Sequence, residues 1–162
     1  MISKRYLSKI EEGFALKQGR HPCDIMFSDF PESHKTVLSI FEKENSVIIF
    51  NQELTETLNE LEVIASLIHE SRHAYQWFQV NHSDSSIEDP NLLKIWKQEF
   101  ENYSQPEVEN SQTYINQDIE IDAIAFASIQ LELIGEAKLI IPPEILEKVK
   151  KRKQIIKSLE KV

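Results

Sequence analysis

The chain has 162 residues, of which 41% are hydrophobic and 28% charged, with a net charge of −9. That length and balance suit one globular domain able to bury a core, and they exclude a disordered or fibrous chain. The charge is uneven: residues 144–162 hold seven Lys or Arg against three Glu and carry +4, leaving −13 on the rest, which argues against a nucleic-acid footprint spread over the body.

The start of the chain lacks the apolar run of a leader peptide, and no stretch approaches about 18 uncharged apolar residues. A soluble, cytoplasmic protein with no membrane partner is therefore expected. Ile2, Tyr6, Ile10 and Phe14, with Leu7 beside them, predict an amphipathic helix that ends between Gly13 and Gly19. Cys23, the one cysteine, excludes an internal disulfide and a thiolate metal site. Ile25-Met26-Phe27 predicts a short strand. Thr36–Phe41 and Ser46–Phe50 are β-branched, aromatic-rich runs on either side of a polar turn, and they predict a hairpin. A sheet edge there can accept an extended peptide backbone as a further strand.

A helix is predicted from Thr55 to Val80, stopped by the polar, turn-rich residues 81–90. Asn91–Asn102 predicts a second amphipathic helix, and Ser104–Thr113 a loop in which Pro106 cannot continue a helix. From Asp118 to Gly135 the pattern is acidic at its start and then apolar on nearly every side, which predicts a buried central helix. Pro142 and Pro143 announce a last helix, centred on Val149 to Leu159, whose basic residues read as a solvated face.

The helix from Thr55 carries His69-Glu70-Ser71-Arg72-His73. Residues four apart lie one turn above each other, so His69 and His73 can direct their rings at one metal ion. Glu70, about 100° round the helix, can lean toward the same place and take a proton from a water that a zinc ion has acidified to a pKa of roughly 7. Leu61, Ile64, Ile68, Ser71, Tyr75 and Phe78 predict a core stripe on the other side. Chance matches to this short pattern and ordinary surface histidines would share these features, so a third ligand decides. Glu120 is the choice, because Ala123 and Ala127 on its face permit close helix packing; Asp122 is the competitor. Asp118 is expected to serve as a capping charge.

In order and content these residues resemble the gluzincin zinc metallopeptidases, and more closely the small ImmA/IrrE type and the minigluzincins. The shared features are a strand hairpin, the His-Glu-x-x-His helix, and Glu-x-Asp-Ala-x-x-Phe-Ala at Glu120–Ala127, covering roughly Val37 to Ala127. The resemblance implies an α+β fold in which a small N-terminal β-sheet packs on a mostly helical body containing the motif helix and a second, glutamate-bearing helix, all in one domain over residues 1–162. It implies that His69, His73 and Glu120 bind Zn²⁺, that Glu70 is the general base for peptide hydrolysis, and that the substrate is a specific protein or peptide. An oxyanion would need a further donor, for which Tyr114 and His82 are candidates. Asp122 can instead orient a ligand histidine. Arg72 places a charge where the longer family motif has an uncharged residue, and an acid such as Asp122 is an expected partner. The alternative is a non-catalytic or latent protein of the gluzincin fold that acts through protein contacts.

Overall fold

The computed structural model describes residues 2–102, 111–135 and 138–160. In chain order these form α1 (Lys4–Lys17), β1 (Asp24–Ser28), β2 (Ser39–Glu42), β3 (Val47–Asn51), α2 (Gln52–Thr57), α3 (Glu60–Asn81), α4 (Pro90–Glu101), α5 (Ser111–Ile115), α6 (Asp118–Ile134) and α7 (Leu146–Glu160). The fold is α+β, a small mixed sheet with a mostly helical remainder. Its contacts divide it into two compact units, one ending at Tyr75 and one beginning at Gln76, so that α3 contributes to each.

In the first unit the strand order is β1-β3-β2, with β1 parallel and β2 antiparallel to β3. The expected hairpin is β2–β3. Its turn is held by the Glu42 carboxylate, which accepts the backbone N–H groups of Glu44 and Asn45 at 2.9 and 3.0 Å, while Ser46 takes the left-handed conformation (φ 56°). Because side chains alternate along a strand, the register puts Ile25, Ile48 and Phe41 in one row and Phe27, Phe50 and Ser39 in the next, on a single face. The core of this unit joins Ile25, Ile48 and Phe50 to Leu7, Cys23, Val63, Leu67 and Ala74. On the opposite face Met26, Ile49 and Ile40 form a row whose outer members are 48% and 40% exposed.

The single helix expected from Thr55 is two. Leu58 is extended (ψ 158°), and Asn59 and Glu62 then close a reciprocal cap: the Asn59 side chain accepts Glu62 N–H at 3.0 Å, and Glu62 accepts Asn59 N–H at 3.1 Å. This capping box starts α3 afresh. The buried face of α1 is also displaced from expectation. Leu7, Glu11 and Ala15 are buried whereas Tyr6 is exposed, because Glu11 is drawn inward by a charge. Its carboxylate forms a fork with Arg20 (2.6 and 3.2 Å) and accepts the Cys23 N–H at 3.0 Å.

In the second unit α6 is the buried helix that its composition predicts, with Ile119, Ile121, Ala123, Ala125, Phe126, Ala127, Ile129 and Leu131 all inside. It packs on α4, α5 and α7. Gly135 ends it in the left-handed conformation (φ 87°) that favours glycine. Asp89 caps α4 ahead of Pro90. The predicted loop over residues 104–113 lies partly outside the described residues; from Ser111 the chain is already helical. α7 begins at Leu146, after a turn closed by Ile145 N–H on the Pro142 carbonyl, because the two prolines set the turn rather than the first helical residues.

Two measurements check this account. Removing one member of a buried ion pair leaves the other charge uncompensated, so Glu11→Ala should lose about 3–5 kcal/mol in urea unfolding, and Glu11→Leu combined with Arg20→Met should lose much less; equal losses would disprove the pairing argument. Burial, with the Glu11 charge adding to it, pushes the Cys23 thiol up to about 12. At pH 8 the folded protein should therefore alkylate about 10³-fold more slowly than a free cysteine, with the full rate returning in denaturant.

Candidate metal centre

From Ile68 to Gln76 every residue of α3 except the half-buried His69 is buried, although the stretch includes Glu70, Ser71, Arg72, His73 and Gln76. The core stripe is only in part the one the spacing predicts: Ile68, Ser71 and Tyr75 are buried as expected. Val63, Leu67 and Ala74 enter the core, while Leu61, Ile64 and Phe78 are only half-buried. Polar groups inside a protein are tolerated when they are hydrogen-bonded, and partners are present. The Arg20 guanidinium that holds Glu11 also donates to the Ser71 carbonyl (3.1 Å) and hydroxyl (2.7 Å), fixing the helix midway between His69 and His73. Ser39 donates to a Glu70 carboxylate oxygen at 3.1 Å. The Arg72 guanidinium lies 4.0 Å over the Tyr75 ring.

His69 and His73 stand edge to face (84°, centroids 4.7 Å apart), with their Nε2 atoms 3.0 Å apart. Two nitrogen ligands at about 2.05 Å in tetrahedral geometry are about 3.3 Å apart, so the pair needs to open by only a few tenths of an ångström. Glu120, 1% exposed, supplies the third atom: ligand atoms of His69, His73 and Glu120 all lie within 4.8 Å of one another. This set of two imidazoles and one carboxylate could hold a divalent metal ion. The same donors suit zinc and several first-row neighbours, so they define a group rather than an ion.

Asp122 is engaged elsewhere. It accepts Arg152 Nε at 2.6 Å and Gln76 Nε2 at 2.7 Å, while Arg152 also pairs with Glu88 at 2.8 Å and lies 5.5 Å over the Trp96 ring. Gln76 donates in addition to the Ile119 carbonyl at 2.8 Å. The N–H groups of Asp118 and Ile119 are accepted by Glu99 of α4, both at 2.9 Å. Asp118, exposed in the first turn of α6, stands as the charge expected at the positive end of the helix dipole, while the hydrogen-bonding cap is supplied from another helix. Burial pushes the Glu99 carboxyl above its ordinary range, against those two bonds. Three side chains therefore brace the turn of α6 that carries Glu120.

Of the two expected oxyanion donors, Tyr114 is a half-buried residue of α5. His82 is exposed, its Nδ1 bonded to the Phe78 carbonyl at 2.8 Å and its ring stacked on Phe78, a role in ending α3. Ser39, Arg152, Glu88 and Glu99 escaped the sequence reading. A signal existed for two of them: Ser39 alternates with apolar residues toward a core, and Arg152 shares a helical stripe with Val149 and Ile156.

Comparisons with protein-family models, with curated proteins and with solved structures returned no match. Among the described residues no helix is long and apolar enough to cross a membrane.

The competition between two nearby acids has a direct test. Glu120→Ala should abolish stoichiometric binding of added Zn²⁺ or Co²⁺, measured by elemental mass spectrometry after dialysis. Asp122→Ala should bind metal while losing about 3–5 kcal/mol of stability, since it leaves a buried arginine short of a partner. The reverse pattern would exchange their roles.

Proposed function

We propose that the protein is a zinc-dependent peptidase acting on a protein or peptide substrate in the cytoplasm. The observation that carries this reading is the convergence of His69, His73 and Glu120 on one point, with an acid, Glu70, next to the first ligand in the chain. His69 and His73 would hold the ion through Nε2 and Glu120 through a carboxylate oxygen. A zinc ion held there supplies a Lewis acid that polarises a peptide carbonyl and acidifies water. Three protein ligands leave a coordination position for reactants, whereas a structural zinc is normally closed by four.

Glu70 then takes a proton from the attacking water and returns it to the amine nitrogen of the leaving peptide. Tyr114 is proposed as the donor to the carbonyl oxygen as charge builds on it. β2 is a sheet edge, and it offers backbone donors and acceptors to an extended substrate. Glu70 also argues against a purely structural metal group, which has no use for a carboxylate base beside its ligands.

Glu70→Gln keeps the shape of the side chain and removes the base. It should retain one metal per chain while turnover of a peptide substrate falls at least about 10²-fold; unchanged turnover would remove Glu70 from the mechanism.

A further inference from the structure

Ser39 stands at a position that the sheet reserves for apolar side chains. It occupies the row of Phe27 and Phe50 on the face that builds the core, and it is itself buried. Its hydroxyl oxygen is 3.1 Å from Glu70 Oε1 and 2.5 Å from the hydroxyl of Ser66. Ser66 precedes Glu70 by four residues, so the two share one face of α3 and Ser39 reaches them both from the sheet. Ser39 donates to Glu70, and a hydroxyl has one proton to give, so Ser66 donates to Ser39. The direction of the chain is fixed as Ser66 to Ser39 to Glu70, and each bond polarises the next.

We infer that Ser39, backed by Ser66, is a positioning residue that holds the Glu70 carboxylate in one orientation. The inference rests on the reading of Glu70 as general base only for its kinetic consequence; the orientation of the side chain is a separate fact. A base tied to a strand as well as carried by its own helix has an anchor apart from the ligand histidines. Proton transfer is sensitive to such placement, and misplacement by about 1 Å can cost on the order of 10² in rate.

The test uses the full chain in two arms. In the first, metal-free crystals of wild type and Ser39→Ala are compared at high resolution. Wild type should show one orientation of Glu70 and the variant more than one; a single, unchanged orientation in the variant overturns the inference. In the second, zinc-loaded protein is assayed on fluorescein-labelled casein. Ser39→Ala should lower kcat 10- to 100-fold at unchanged KM and zinc content, Ser39→Thr should restore at least half, and Ser66→Ala, which shortens the chain by one member, should lose 2- to 5-fold. A kcat within twofold of wild type, or a change in KM alone, overturns the inference. If Ser39→Ala does not fold, Ser66→Ala serves in both arms. If wild type does not cleave casein, the peptidase reading is what is questioned, and the metal-free arm decides the role of Ser39 by itself.

Discussion

The constraint that governs this fold is that the middle of α3 is polar and buried at once. Each side chain there needs a partner supplied from elsewhere, since an unsatisfied buried charge costs more than most single contacts return. The Glu11–Arg20 pair meets that demand on one side. Arg20 neutralises Glu11 and also donates to Ser71, so the polar middle of the helix is held inside. The displaced face of α1 and the inward place of Glu11 beside Cys23 go with that guanidinium.

The second unit answers the same constraint with a different arginine. Arg152 balances Asp122 and Glu88, and Glu99 satisfies the open N–H groups at the start of α6. These partners explain how α6 can be apolar almost all round and still present a carboxylate in its first turn. They also separate two acids that lie two residues apart: one is tied up by an arginine and a glutamine, and the other stands with the histidines. Neither outcome depends on the carboxylates themselves, which are chemically alike; it depends on what faces them.

Much of the architecture was legible in the sequence because it rests on local periodicity. The hairpin, the helical motif, the buried character of α6 and the helix near its C-terminal end all follow from spacing, and the group of His69, His73 and Glu120 follows from an i, i+4 pair and one downstream acid. What could not be read depends on long-range charge. A stripe drawn on α1 from apolar residues alone missed Glu11, and a stripe on α3 missed that both sides of the helix are covered. Asp118 stands in the first turn as its place at a helix start suggests, but the acceptor of the open N–H groups is Glu99, 19 residues earlier. The break at Leu58 was hidden inside a continuous helical pattern, because Asn59 and Glu62 form a cap only in combination.

The pairing of Asp122 with Arg152 spans 30 residues of chain, and that separation has a consequence for synthesis. A chain emerging from the ribosome at about 5–20 residues per second exposes Asp122 some seconds before its counter-charge exists. Until α7 arrives, drawing that acid into an apolar interior is opposed by the full penalty of an unpaired charge. The turn that bears Glu120 therefore gains its full set of partners only once α7 has been made.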